Sequence, residues 1–150
     1  MAKIDQVFID AAIKSDKDYG VPASISLAQG ILESGWFKHT LGDAHNPFGI
    51  KYNPKLTDAG FVEVATKEDT KSGIVTIKAK FCKFRDFNHA FEAHAKLIAN
   101  NPVYKKAMAN KDNPDEFARC LTGVYATDRK YHEKLIKIMK QENLYQYDIK

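Results

Sequence analysis

One stretch of this chain, residues 61–84, repeats its apolar side chains every second position. The segments on either side repeat them every three or four. Phe61, Glu63 and Ala65 alternate with Val62, Val64 and Thr66. After Lys71-Ser72-Gly73 a second run carries Val75, Ile77, Ala79 and Phe81 on one parity. A period of two is that of a strand with one sheltered face, and two such runs around a short Gly-containing turn predict a hairpin or small meander. Phe84 falls on the opposite parity, which predicts a bulge near Cys82. One small sheet between helical segments restricts the chain to an α+β fold, a mainly helical body with a small β-hairpin lobe at about 60–85.

The flanking segments read as helices. Ile4, Val7, Phe8, Ala11 and Ala12 recur at helical spacing, so a first helix is expected to about Asp18, ended by Gly20. Pro22 suits the first turn of a second helix, with Ile25, Ala28, Ile31 and Leu32 as its core stripe. Gln29, Glu33 and Trp36 follow at spacings of four and three and form a neighbouring stripe that can edge a groove. From His39 to about Gly60 the Gly, Asn-Pro and Pro signals predict a long loop, and loops of that length inside a compact domain are usually functional. Further helices are expected through Phe87–Ile98, over 103–109, and from Asp112-Asn113-Pro114 to Cys120-Leu121. A last helix, capped by Asp128, buries Tyr131, Leu135, Ile138 and Met139.

At 150 residues the chain is expected to be a single domain, 1–150, with enough length for a real core. No apolar run approaches the 18 or so residues of a membrane span, and no membrane insertion is expected. Asp5 and Asp10 interrupt the apolar pattern of the N-terminal segment, which therefore reads as an amphipathic helix and not a signal peptide. The net charge of +4 favours an anionic polymer only mildly, and no basic stripe interleaved with aromatics suggests nucleic acid. Cys82 and Cys120 are expected to be free, buried thiols. The five histidines show no ligand-like spacing, so neither a metal nor a cofactor is expected.

Leu32-Glu33-Ser34-Gly35-Trp36 carries the clearest chemistry. It sets one carboxylate at the end of an apolar helical run, where a glycine breaks the helix beside the only tryptophan. The negative end of a helix dipole and a ring that keeps water away both disfavour ionisation and raise the pKa of the acid. An acid that keeps its proton near neutral pH is what cleavage of a glycosidic bond requires. The same pattern also describes an ordinary surface Glu before a capping Gly.

Four blocks together, PASISLAQGILESGW at 22–36, NPFGIK at 46–51, AKFCKF at 79–84 and LTGVYATDRKYHEKL at 121–135, resemble the peptidoglycan β-N-acetylglucosaminidases of glycoside hydrolase family 73, which include autolysins, flagellar hydrolase domains and phage lysins. The resemblance covers nearly the whole chain and implies a lysozyme-like fold with a groove between a helical body and a β-lobe. It implies that Glu33 is the general acid and Trp36 the aromatic that follows it. Asn46, Phe48, Gly49 and Lys51 would build the groove floor. Tyr125 would face the acid, with Asp128 and Tyr131 in the same block. The second acid is placed by alignment back from AKFCKF at Glu68, with Glu63 next and Asp69 third. Phe37 stands where the family usually has a second Gly, and Arg129 where it usually has Pro.

The activity implied is hydrolysis of the β-1,4 bond on the reducing side of N-acetylglucosamine in peptidoglycan glycan strands, by a monomer without a cofactor. Glu33 would donate the proton, Glu68 would activate water, and Tyr125 would bond or stack near the cleaved sugar. Trp36, Asn46, Phe48, Lys51, Asp128 and Tyr131 are the candidate substrate-binding residues. Substrate assistance by the N-acetyl group is the rival mechanism. A muramidase or lytic transglycosylase on the same fold, or a glycan-binding module without catalysis, are the other readings. The site of action would be the bacterial wall, reached as a phage lysin or as the excised catalytic domain of a larger autolysin.

Overall fold

The computed structural model describes residues 4–149, and for Glu68 the backbone only. Helix α1 (Gln6–Tyr19) starts at Asp5, whose carboxylate accepts from the Val7 N–H at 3.1 Å, and buries Phe8, Ile9, Ala11 and Ala12. It ends at Gly20, whose φ of 84° is the left-handed conformation that closes a helix without a Cβ penalty.

Helix α2 (Ala23–Ser34) is buried on almost every side, as an apolar sequence without a polar face requires. It packs against α1, α3, α5 and α6. Pro22 sits just before its first turn and supplies no side-chain cap. Two carboxylates, one near in sequence and one from the far end of the chain, satisfy the first turn instead. Asp148 accepts from the Ser24 N–H at 2.7 Å and from its hydroxyl at 2.8 Å, and Asp16 accepts from the Ala23 N–H at 2.9 Å. Negative charge there also complements the helix dipole. The C-terminal end leaves through three consecutive left-handed residues, Gly35, Trp36 and Phe37 (φ 61°, 64° and 62°). Phe37 is held by one local and one tertiary contact. The Phe37 N–H donates to the Ser34 hydroxyl at 2.7 Å, and the Phe37 ring stacks on Phe8 with centroids 3.9 Å apart.

The loop from 39 to 60 folds back on Asn46, which is buried. Its amide donates to the carbonyls of Ile50 and Cys82, each at 3.0 Å, and its oxygen accepts from the Ile50 N–H at 3.1 Å. This clamp sets residues 50–52 alongside the hairpin, where the Tyr52 N–H meets the Lys80 carbonyl and the Cys82 N–H meets that of Ile50. Strands β1 (Phe61–Thr70) and β2 (Gly73–Cys82) pair antiparallel around the Lys71-Ser72 turn, and Lys51 bridges Phe81 as a third, very short strand. The register runs unbroken from Phe61↔Cys82 to Thr70↔Gly73, so the expected bulge near Cys82 is absent. The parity changes for another reason. Beyond the body the hairpin stands out in solvent, with its apolar parity at Val75 and Ile77 largely exposed; where it enters the body, Cys82 and Phe84 turn inward and are buried.

The remaining elements complete the helical body: α3 (Phe87–Asn100), α4 (Lys105–Met108), α5 (Pro114–Leu121) and α6 (Tyr131–Gln141), with short 3-10 turns at Pro102–Tyr104 and Leu144–Tyr147. Asn113 caps α5 through the Glu116 N–H, as the Asp-Asn-Pro sequence implies. Asp128 does not cap α6. Its carboxylate accepts from the Lys130 N–H and pairs with Lys134, shaping the turn before the helix, and the residue at the cap position is Lys130. The fold is thus mainly helical α+β with one small antiparallel sheet, as expected. Cys82 is buried and Cys120 half-buried, and both are free thiols.

Candidate active site

A groove of about 530 Å³ runs between the helical body and the base of the hairpin. Glu33 reaches it from the last turn of α2, Gly49 to Asn53 form one wall, and Tyr104, Tyr125 and Ala126 form the other. Among the described residues, Glu33 is the only carboxylate lining it. Its side chain is open to solvent, yet enough protein surrounds it for partial desolvation to raise its pKa above the ordinary glutamate value. Among the described residues no hydrogen bond or ion pair to a cation opposes that shift; desolvation is its cause. The acid therefore holds a proton to higher pH than a free glutamate.

Tyr125 lines the same groove as Glu33. Burial of its hydroxyl, followed by the nearby Tyr131 and the Glu33 charge, raises its pKa well above normal, so it remains a neutral hydrogen-bonding phenol. Its ring lies nearly parallel to that of Tyr131, centroids 6.0 Å apart, and edge-on to His94 at the same distance. Phe48 forms floor rather than rim. It is 3% exposed, lines the groove, and stacks on His94 with centroids 4.0 Å apart and planes 13° off parallel. Lys51 is exposed at the groove wall and rooted by its bridge to Phe81.

The other candidates lie elsewhere. Asn46 is 1% exposed and spends its amide on three backbone groups, so it shapes the groove without touching what enters it. Tyr131 is 2% exposed, with its hydroxyl bonded to Gln29 at 2.9 Å; it lies behind Tyr125 and does not meet substrate directly. Trp36 packs half-buried against the core from the left-handed turn after α2 and is not part of the groove lining. Asp128 belongs to the turn before α6, where its pairing with Lys134 pulls its pKa down.

The candidates for a second acid lie on the hairpin. Glu68 pairs by backbone with Val75, and its side chain lies outside the described residues. Position 68 has the register parity of Val62 and Val64, opposite to Glu63 and Asp69. It stands six residues beyond the Val62–Phe81 rung where Lys51 joins the sheet, about 20 Å along the strand. Glu63 is one residue beyond that rung.

Tyr52, Leu56, Leu97 and Tyr104 also line the groove and were not singled out by the sequence. Leu97 was legible as an apolar position of α3, but a helical period does not distinguish a core face from a groove wall. Among the described residues, no cluster of His, Cys, Asp or Glu is arranged to hold a metal ion, and no helix is long and apolar enough to cross a membrane.

A family model described as glucosaminidase (mannosyl-glycoprotein endo-beta-N-acetylglucosaminidase) matches residues 9–144. Among curated proteins, the chain is 36% identical to the exo-glucosaminidase LytG of Bacillus subtilis, over 95% of this chain and 53% of that protein. It is 34% identical to a probable N-acetylmuramidase of Lactococcus lactis subsp. cremoris, over 95% of this chain and 35% of that protein. The chain thus spans about half, or less, of the length of these relatives. Its fold superposes on the catalytic domain of the autolysin Auto from Listeria monocytogenes with a TM-score of 0.86 at 30% identity, covering 99% of this chain and 89% of that one.

Proposed function

Since this chain belongs to the glucosaminidase family, we propose that it hydrolyses bacterial peptidoglycan, cutting the β-1,4 bond on the reducing side of N-acetylglucosamine at the groove beside Glu33. The observation that carries this reading is a lone, partly desolvated glutamate at the end of a buried helix, in the same groove as the neutral phenol of Tyr125.

Glu33 donates its proton to the glycosidic oxygen as the bond breaks, while positive charge develops on the sugar ring. The resulting Glu33 carboxylate shares the groove with Tyr125, which supplies a hydroxyl to the reacting centre. Glu68 is the general base that activates water on the opposite face of the ring. Its position far along the hairpin requires that lobe to fold over a bound strand. Glu63, near the hairpin base, is the alternative base. Lys51 and Phe48 contact the strand from the wall and the floor.

One observation favours a second reading. Relatives of similar identity carry the name N-acetylmuramidase, and a muramidase or lytic transglycosylase on this fold needs a single acid, which Glu33 would supply. Mass spectrometry of peptidoglycan digested with the protein separates the two. Products ending in reducing N-acetylglucosamine support the glucosaminidase. Products ending in reducing or anhydro N-acetylmuramic acid establish the other bond. Conversion of Glu68 and of Glu63 to Gln identifies the base: a loss of roughly 10²–10⁴-fold is expected at the true position, and mild losses at both establish substrate assistance.

A further inference from the structure

Directly beneath Glu33 and Tyr125 lies a buried polar chain that the reaction as described does not use. Gln29 sits one helical turn before Glu33 on α2 and is fully buried. Its Nε2 donates to the Tyr131 hydroxyl at 2.9 Å, and its Oε1 lies 2.8 Å from Nε2 of His94, also fully buried. The proton positions follow from one orphan atom. Among the described residues His94 Nδ1 has no hydrogen-bond partner. A buried N–H without an acceptor costs more than a bare lone pair, so the proton belongs on Nε2, where the Gln29 oxygen accepts it. That fixes the Gln29 amide, whose nitrogen must then donate to Tyr131, and it leaves the Tyr131 hydroxyl as acceptor on that side with its own proton unspent. Burial holds His94 neutral, with its pKa down to about 3, so the arrangement does not change over the working pH range.

The chain touches the groove at three points. His94 stacks under Phe48, it meets the edge of Tyr125, and Tyr131 lies parallel to Tyr125. Gln29 and Glu33 share one helix, so the amide that orients Tyr131 is rigidly linked to the acid. The Glu33 charge is felt at the hydroxyls of both tyrosines.

We propose that Gln29 and His94 are positioning residues for glycoside cleavage: together they lock the Tyr131 hydroxyl and ring, and through them the placement of Tyr125 relative to Glu33. This rests on the reading of Glu33 as the acid. Gln29 bonds to Tyr131 and His94 and to neither of the strand-binding residues Lys51 and Phe48, so its loss is seen in kcat and not in KM.

The test uses soluble, amidase-trimmed glycan strands as substrate and four variants. Gln29→Met keeps the volume and removes both hydrogen bonds. His94→Phe keeps the ring on Phe48 and removes the N–H. The two are also combined, and Glu33→Gln is the reference. The expected result is a folded Gln29→Met protein with kcat down about 10- to 100-fold, the scale of sub-ångström to ångström misplacement, and KM within twofold. The double variant should be no slower than Gln29→Met alone, since the two residues act as one unit. An unchanged kcat, a loss confined to KM, or losses that multiply in the double variant would overturn the proposal. Should Gln29→Met not fold, Tyr131→Phe, which removes only the oxygen, takes its place: a comparable fall in kcat supports the lock and an unchanged kcat refutes it. An active Glu33→Gln instead removes the underlying reading, whereas an inactive Glu33→Gln beside a fully active Gln29→Met removes the lock alone.

Discussion

Replacing Asn46 by alanine distinguishes a residue that binds sugar from one that builds the place where sugar binds. In the structure the Asn46 amide holds three backbone groups: the Ile50 N–H, which has no other partner described, and the carbonyls of Ile50 and Cys82, the first of which also accepts from the Cys82 N–H. Orphaning one buried donor costs about 1–3 kcal/mol, and losing each of the two bonds to carbonyls costs about 0.5–1.5 kcal/mol more. The sum, about 2–6 kcal/mol, is a large part of the ~5–15 kcal/mol that holds a domain together. At roughly 2–4 °C per kcal/mol for a chain of this size, Asn46→Ala should melt at least about 4 °C below the parent and as much as about 24 °C below. Thermal unfolding by circular dichroism reads this directly, with hydrolysis measured well below the melt. Residual activity should show KM near the parent's, because 1% exposure leaves the amide nothing to offer a ligand. A melting point within 2 °C of the parent together with a KM raised tenfold would refute the reasoning and restore Asn46 as a substrate contact.

Other outcomes follow from the same geometry. Tyr125→Phe removes a hydroxyl beside a group that becomes charged, and a charge-assisted bond of about 1.5–3 kcal/mol corresponds to a loss of roughly 10- to 150-fold in kcat; unchanged turnover would leave the hydroxyl without a role. Burial raises the Glu33 pKa, so the folded state binds that proton more tightly than the unfolded chain. The stability this lends is present below the ordinary glutamate pKa and lost as pH rises through the folded value. Glu33→Gln should therefore melt higher than the parent at pH 7 and converge with it below about pH 4; equal melting points at both pH values would contradict the desolvated carboxyl. Gly30→Ala should destabilise by about 1–3 kcal/mol, although alanine normally favours a helix, because the new Cβ would lie 2.6 Å from Phe37 Cε1; chemical denaturation checks the sign.

Much of this architecture was legible in the sequence because it rests on period and punctuation. The switch from helical spacing to alternation at residue 61 gave the hairpin, Gly20 and Gly35 gave the ends of α1 and α2, and Asn113-Pro114 gave the start of α5. Glu33 was legible as a candidate acid, although the Glu-Ser-Gly-Trp pattern alone also describes an ordinary capping turn, because three further blocks resemble the same family. Polar residues that serve the backbone were not separable from those that serve a ligand. Asn46 and Tyr131 belong to blocks that build the groove, yet both are buried, and only their tertiary partners reveal it. The expected bulge near Cys82 failed for a similar reason. A parity change records which face is sheltered, and here the shelter changes where a projecting hairpin enters the body. Phe37, which stands where the resemblance leads one to expect a glycine, is stacked on Phe8, 29 residues earlier.

The most direct test of the central claim is the rate of muropeptide release from purified peptidoglycan by Glu33→Gln against the parent, at equal concentration and with matched circular dichroism spectra. The account predicts a fall of roughly 10²–10⁴-fold, the usual contribution of a positioned general acid. A rate within threefold of the parent would mean that the proton comes from elsewhere.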